Sequence, residues 1–292
     1  MSALRPWVSA ARPATLWASA APVAVGNGLA WGEGAFRWDA CLVAMTAALL
    51  INIGANFAND ASDARRGADG PARIGPTRAV ASGVISPRAM WAAVAVVFGL
   101  AAAGGAYLAV IAGWPVLAIG AASLAAALGY TGGPRPYGYI GLGEAAVFIF
   151  FGLAATVGSR FVHDATAPSA AWLLALPMGL TVTAILVANN VRDVDTDRAA
   201  GKHTLAVVLG RQGGRYLYAA LMAGAFAALA LEGALGAVPR FCLLGLLAAP
   251  FAVPVAAAIL RDTEGPALIR ALRATARLHA LFGCLIALGA AL

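Results

Sequence analysis

Charge is what this chain has least of. Only 11% of its 292 residues are Asp, Glu, Lys or Arg, where a soluble globular domain carries about a quarter. The deficit runs along the whole length and excludes a chain surrounded by water. Cysteine is scarce as well. Cys41, Cys242 and Cys284 are odd in number, far apart and inside apolar stretches, so they read as small buried hydrophobes and not as a disulfide framework. No Cys/His spacing suits zinc or haem, and His163, His203 and His279 need no role. Acidic residues number 13 against 20 basic ones, a net charge of +7. That surplus is no nucleic-acid signature, because it follows the membrane pattern set out next.

Apolar length is abundant. Hydrophobic residues make up 61% of the chain and the mean hydropathy is +0.81. Nine apolar segments run approximately over 14–30, 40–58, 89–111, 114–130, 141–162, 170–189, 214–235, 241–260 and 272–292. About 20 apolar residues in a helix cross the hydrocarbon core, and a spanning backbone must satisfy its own hydrogen bonds, so the segments are predicted to be helices. The first lacks an A-x-A cleavage context and is taken as a span, not a removed signal. The expectation is an all-α polytopic membrane protein with nine transmembrane helices, forming one domain over 1–292.

Lys and Arg give the orientation. Counting connections alternately from the N-terminus, 17 of the 20 basic residues fall on one side; only Arg37, Arg160 and Arg240 fall on the other. The positive-inside rule makes the N-terminus cytoplasmic and, with nine spans, the C-terminus external. Two cytoplasmic connections are long, about 59–88 and 190–213, and long polar loops in a compact membrane protein carry function. Each opens on Asn and spaced Asp residues and continues into a basic stretch, which suggests an internal repeat.

The first cluster is Asn56, Asp60 and Asp63, at i, i+4 and i+7, one face of a continuing helix. The second is Asn190, Asp193 and Asp197, at i, i+3 and i+7. Asp195 lies off that face, and Asp69 follows in the first loop. Carboxylates crowded at a membrane edge repel one another without cations to balance them. Mg²⁺ takes oxygen ligands, commonly one or two carboxylates plus substrate phosphates. Each cluster is followed by basic residues, Arg65, Arg66, Arg73 and Arg78 in one loop and Arg192, Arg198 and Lys202 in the other. Carboxylates for metal and cations for phosphate oxygens together suit a diphosphate. Solvated loop charges explain a single such cluster; two matching clusters at one face favour the binding site.

These motifs resemble the UbiA-type intramembrane aromatic prenyltransferases. Further stretches look like the dihydroxynaphthoate polyprenyltransferase (MenA) branch: Trp7 with 11–16, 74–78 with Ser82-Gly83, 129–134, 141–144, 150–152, and 189–193 leading to 201–206. The resemblance implies nine helices around a central cavity capped by the long loops. It implies transfer of a polyprenyl group from its diphosphate to an aromatic small-molecule acceptor, here dihydroxynaphthoate, with loss of CO₂ to give a demethylmenaquinone. Carried over, Asn56, Asp60, Asp63, Asp193 and Asp197 hold Mg²⁺, while Arg66, Arg78, Arg192 and Lys202 grip diphosphate. Asp60 and Asp193 are then catalytic, and Tyr130 and Glu144 are candidates for orienting the acceptor. Ala61 departs from the family, which has Tyr after the Asn-Asp pair, and that bears on acceptor identity. The expected setting is membrane lipid, in a bacterial-type inner membrane, without nucleic acid. Rivals are another acceptor, such as hydroxybenzoate or homogentisate, or an ion-coupled secondary transporter, which would place its aspartates nearer the bilayer midplane.

Overall fold

The computed structural model describes residues 4–67, 78–261 and 265–292. Asp69, Arg73 and the stretch 74–77 of the sequence motifs lie outside the described residues. Every described element is helical. In chain order they are α1 (Arg5–Ala11), α2 (Trp17–Gly32), α3 (Trp38–Arg65), α4 (Pro87–Ala112), α5 (Pro115–Gly129), α6 (Gly143–Val147), α7 (Ala155–Phe161), α8 (Ser169–Ala199), α9 (Leu205–Ala234), α10 (Ala249–Leu260) and α11 (Pro266–Ala291). A π-helical stretch, Phe148–Ala154, joins α6 and α7 into one rod, and a 3₁₀ stretch, Arg240–Ala248, leads into α10.

Local chemistry sets the boundaries. Proline opens α4, α5 and α11, where its missing N–H is no loss and its φ is already helical. Ser86 and Thr204 cap α4 and α9 by accepting from the backbone N–H of Ala89 and Val207, as N-cap hydroxyls do. Gly113, at φ +86°, ends α4 and allows the abrupt turn into α5.

Each of the nine apolar segments falls on one of these rods. Among the described residues, seven are long and apolar enough to cross a membrane, and α5 is a shorter apolar helix; the first segment forms the 16-residue α2. The protein is therefore an integral membrane protein. Large apolar side chains point outward along the rods, among them Val110, Val96, Phe251 and Val253, which lipid and not water accommodates. Trp31, Trp38, Trp114 and Trp172 are exposed where α2 ends and α3, α5 and α8 begin. They lie at one end of the helix array, as an interfacial aromatic belt does.

The bundle has two unequal halves. The main core joins α2, α8, α9 and α11 with the 3₁₀ stretch and α10. A smaller cluster links α3 and α4 with α1, and α5 packs on α3 and α4. Glycine permits the closest approaches: a Cβ on Gly26 of α2 would lie 2.3 Å from the Thr156 carbonyl oxygen of α7. A cavity remains between the halves.

The two helices that carry the clusters overrun the bilayer. At about 1.5 Å per residue, the 28 residues of α3 and the 31 of α8 extend beyond a hydrocarbon core of roughly 30 Å. Their last turns carry both Asn/Asp clusters. The sequence places loops from about 59 and 190; the chain stays helical to Arg65 and Ala199, because the acidic side chains make tertiary bonds instead of competing with the helix. Within the second long connection, α9 begins at Leu205 and breaks at Gly210, at φ +74°.

Candidate active site

The clusters stand on opposite walls of a cavity of about 370 Å³. Its polar end is lined by Asn56, Asn59 and Asp63 from α3, Asn189, Asn190, Asp193 and Asp197 from α8, and by Arg12, Arg78 and Lys202. All three residues of the second cluster reach the cavity; of the first, Asn56 and Asp63 do.

Asp63 has partners from several parts of the chain. It is buried and accepts from the Tyr139 hydroxyl at 2.7 Å. Lys202 Nζ lies 3.4 Å from Asp63 Oδ2 and 3.8 Å from Asp197 Oδ1, and Arg78 Nη2 lies 3.6 Å from the same Asp63 oxygen. Lys202 therefore bridges the walls, with its ammonium 4.7 Å from the Tyr139 ring centroid, a cation–π distance. Asp193 is gripped by both forks of its neighbour Arg192, whose Nη2 also donates to Asn189 Oδ1 at 2.9 Å. The Asn190 amide donates to Glu144 Oε1 at 2.9 Å and ties α8 to α6.

Other expected residues lie elsewhere. Asp60, only 2% exposed, is not on the cavity wall. Its two oxygens accept the backbone N–H groups of Ala79 and Val80 at 3.1 and 3.0 Å, which fixes the turn beside Arg78. Arg66 is exposed, donates to the Gly133 carbonyl and leans over Tyr139. Arg192 is buried behind Asp193, off the cavity surface. Asp195 is 74% exposed and pairs with Arg211 at 2.6 Å on the outer surface. Asn56 lines the cavity, but its amide donates to the Ala11 carbonyl at 3.1 Å and anchors α1.

Tyr130, at the end of α5, lines the cavity and meets Tyr137 edge to face at 5.5 Å. Burial pushes the Tyr137 phenol up to about 12, so it stays a donor, here to the Ala126 carbonyl at 2.7 Å. Ala61 is 3% exposed and packs in the small core with Phe57, Ala79 and Val80, away from the cavity. The phenol that reaches the acidic cluster comes from Tyr139 instead.

Sequence reading missed Asn59, Asn189 and Tyr139. Asn59 and Asp63 are themselves four apart, the spacing that singled out Asn56 and Asp60, so the signal was present in a second register. Asn59 Oδ1 accepts from the Thr131 hydroxyl at 2.8 Å. Tyr139 had no signal, because its partner is 76 residues away.

Beyond its polar end the cavity turns apolar and runs between α3, α4, α5 and α7, past Ala44, Ala101, Gly105, Ile119 and Gly158. Charges at one end and a slot of small apolar residues behind them suit an amphiphile with a polar head and a long tail.

Known proteins share this architecture. The UbiA prenyltransferase family model matches residues 19–282. The chain is 41% identical to the 1,4-dihydroxy-2-naphthoate octaprenyltransferase of Mycobacterium tuberculosis, covering 94% of this chain and 93% of that one. It is 37% identical to the enzyme of the same name from Escherichia coli, covering 99% and 96%. Among solved structures, a UbiA homolog from Aeropyrum pernix superposes with a TM-score of 0.69 at 18% identity, over 92% of this chain and 96% of that one. A UbiA homolog from Archaeoglobus fulgidus with GPP and Mg²⁺ bound superposes at 0.66 and 16% identity, over 96% and 99%. With the family matched over most of its length and such relatives aligned end to end, the chain belongs to the UbiA prenyltransferase family.

Proposed function

We propose that the protein transfers a polyprenyl group from its diphosphate to 1,4-dihydroxy-2-naphthoate, releasing CO₂ and giving a demethylmenaquinol. One observation carries this reading: Asp63 faces Asp193 and Asp197 across the head of a cavity that becomes apolar behind them. The two relatives described above are named for the same transfer.

The donor set suits Mg²⁺. Among the described residues no three acidic, His or Cys side chains cluster as a ready-made metal cage. Mg²⁺ does not need one, since it binds through one or two carboxylates and takes its other ligands from phosphate and water. Asp63 on one wall and Asp193 with Asp197 on the other would hold it, with Asn56 and Asn59 within the same oxygen-rich head. Bound there, it would supply Lewis-acid charge to the leaving diphosphate.

The chain's own residues do the rest. Lys202 and Arg78 place positive charge where the diphosphate departs, and preorganised charge of that kind stabilises the transition state without reorganising. The allylic C–O bond breaks with its electron pair leaving on the diphosphate. The electron-rich ring forms the new C–C bond and gives up the proton of that carbon, and the carboxylate-bearing carbon exchanges CO₂ for a proton, so the ring stays at the hydroquinone level. Tyr130, on the cavity wall, orients the ring, and Glu144 acts one step behind it by holding the Asn190 amide. The apolar walls keep water from the allylic cation. Asp60 acts as a positioning residue, through the Ala79–Val80 turn that holds Arg78. Arg66 and Arg192 lie one step removed, on Tyr139 and Asp193.

The charge asymmetry supports placing this site at the cytoplasmic face, with nine spans, in a bacterial-type inner membrane. The test is product mass spectrometry. Membranes containing the protein, given octaprenyl diphosphate and a panel of dihydroxynaphthoate, hydroxybenzoate and homogentisate, should yield the decarboxylated naphthoate product in excess. Preference for hydroxybenzoate or homogentisate would move the assignment to that acceptor. Solute uptake into vesicles with no covalent product would favour the transporter reading.

A further inference from the structure

Most helical glycines of this protein are explained by packing. On Gly26, Gly28, Gly54, Gly152, Gly179 and Gly283 a Cβ would come within 3.0 Å of a neighbouring helix. Gly104 is similar, with Val43 at 3.3 Å and Ala47 at 3.6 Å across the α3–α4 contact. Gly99 has open space on the lipid side, and three others have it on the cavity side. A Cβ on Gly105, Gly120 or Gly158 meets nothing within 4 Å, and all three line the cavity. Glycine weakens a helix interior relative to alanine, so at these positions helix stability is given up without a gain in helix packing.

Their placement is consistent. Gly105 lies seven residues before the end of α4, Gly120 five after the start of α5, and Gly158 three before the end of α7. At 1.5 Å per residue, all are within about 5–10 Å of the face opposite the aspartates. Ala44, from the first turns of α3, is on the same stretch of wall. Leu108, Val116, Phe161 and Val162 line the cavity at its deep end and pack with Ala40 and Ala112 as a separate apolar cluster. The channel wall is therefore glycine and alanine in the far leaflet, with larger side chains about one turn beyond. α5 packs on α3 and α4, and α7 on α2, α3 and α8; Gly120 and Gly158 both line the channel, each with open space where a Cβ would stand.

We propose that Gly105, Gly120 and Gly158 are specificity-determining residues that keep the distal channel wide enough for a long prenyl tail. The inference rests on the prenyl-transfer reading and adds to it. A head group and a short tail fit in the proximal half, beside Asn52, Phe150 and Ile185. Only a tail of several more isoprene units passes the glycine level. Filling that level should leave short substrates almost untouched and exclude long ones.

The experiment compares farnesyl and octaprenyl diphosphate as donors to dihydroxynaphthoate, in nanodiscs, for wild type, Gly105→Leu, Gly120→Leu, Gly158→Leu and Gly99→Leu. Gly99 is on the lipid-facing side of α4, outside the cavity, with open space around it, and controls for a leucine added to a spanning helix. The expected result is a fall of at least tenfold in the octaprenyl-to-farnesyl ratio of kcat/KM for at least two of the three channel variants, with Gly99→Leu unchanged. Equal losses on both donors, in protein that melts at the wild-type temperature, or an unchanged ratio in all three, would overturn the proposal. Wild type that transfers neither chain would instead remove the prenyl-transfer reading, so the two failures are distinguishable.

Discussion

Lys202 lies 3.4 Å from Asp63, joining the connection after α8 to the last turn of α3, although 139 residues separate the two in sequence. The same ammonium reaches Asp197 at 3.8 Å, so one cation balances carboxylates from both walls. Lys202→Met keeps the stem and removes the charge. A hydrogen bond to a charged group contributes about 1.5–3 kcal/mol, so kcat/KM for the prenyl diphosphate should fall about ten- to a hundredfold. Because the pair sits at the cavity head and not in the main core, the melting temperature should move little. A large loss of stability with normal kinetics would make Lys202 a purely structural tie.

Asp60 should behave differently from Asp63. Asp60→Ala leaves the Ala79 and Val80 N–H groups buried without an acceptor, at about 1–3 kcal/mol each. Stability should drop, and KM for the diphosphate should rise because Arg78 loses its support. Asp60→Asn keeps one acceptor oxygen and should recover part of both. Asp63→Asn should lose activity while melting near the wild-type temperature. Matching stability and kinetic profiles for Asp60→Ala and Asp63→Asn would contradict the separate roles.

The face opposite the site carries a pH-sensitive tie. His163 is buried, its Nδ1 accepting the Arg37 backbone N–H at 3.0 Å and its Nε2 lying 2.9 Å from Asn27 Oδ1. Burial first, and then the Arg160 charge, push its imidazolium down to about 4 from the ordinary 6.5. Between those values the unfolded chain binds a proton that the folded chain does not. Stability contributed here is complete above pH 6.5, is lost as pH falls toward 4, and then levels off. Its size is on the order of 3 kcal/mol. Asp164, held down to about 2 by Arg160, adds a second loss at lower pH, from about 4 downward. Melting temperature measured from pH 7.5 to 4 should fall more steeply for wild type than for His163→Gln; parallel curves would rule the tie out.

Position 61 tests the family departure. Ala61→Tyr places a ring in a site that is 3% exposed and packed against Phe57, Ala79 and Val80. Overpacking costs about 1–3 kcal/mol, so the variant should melt lower, with acceptor preference unchanged because the position does not line the cavity. A switch of acceptor without loss of stability would show that position 61 reads the ring.

The helices and the two clusters were legible because both are periodic. Apolar runs of spanning length can satisfy their backbone only as helices, and the helical spacings keep Asn190, Asp193 and Asp197 along one wall and Asn56 and Asp63 along the other, with Asp60 turned away from it. The roles within each set were not legible. Asp60 and Asp63 are separated by less than one turn, enough to turn one carboxylate toward the Ala79–Val80 turn and the other toward the cavity. The contacts that decide this come from Ala79, Tyr139 and Lys202, and tertiary partners so distant in sequence leave no local pattern. The helical extensions to Arg65 and Ala199 were hidden for a related reason: polar residues at the end of an apolar run read as loop unless their partners are known. Ala61 shows the reverse case, a departure from the family motif whose consequence is packing and not ligand contact.

The account rests on Asp63 and Asp193 acting from opposite walls on one metal-bound diphosphate. The most direct measurement is the rate of dihydroxynaphthoate prenylation in nanodiscs as free Mg²⁺ is titrated, for wild type and for Asp193→Asn. Wild type should be inactive in chelator and saturate with Mg²⁺, while Asp193→Asn should need far more Mg²⁺ and stay at least a hundredfold slower. An undiminished wild-type rate in chelator, or an Asp193→Asn titration superimposable on wild type, would contradict it.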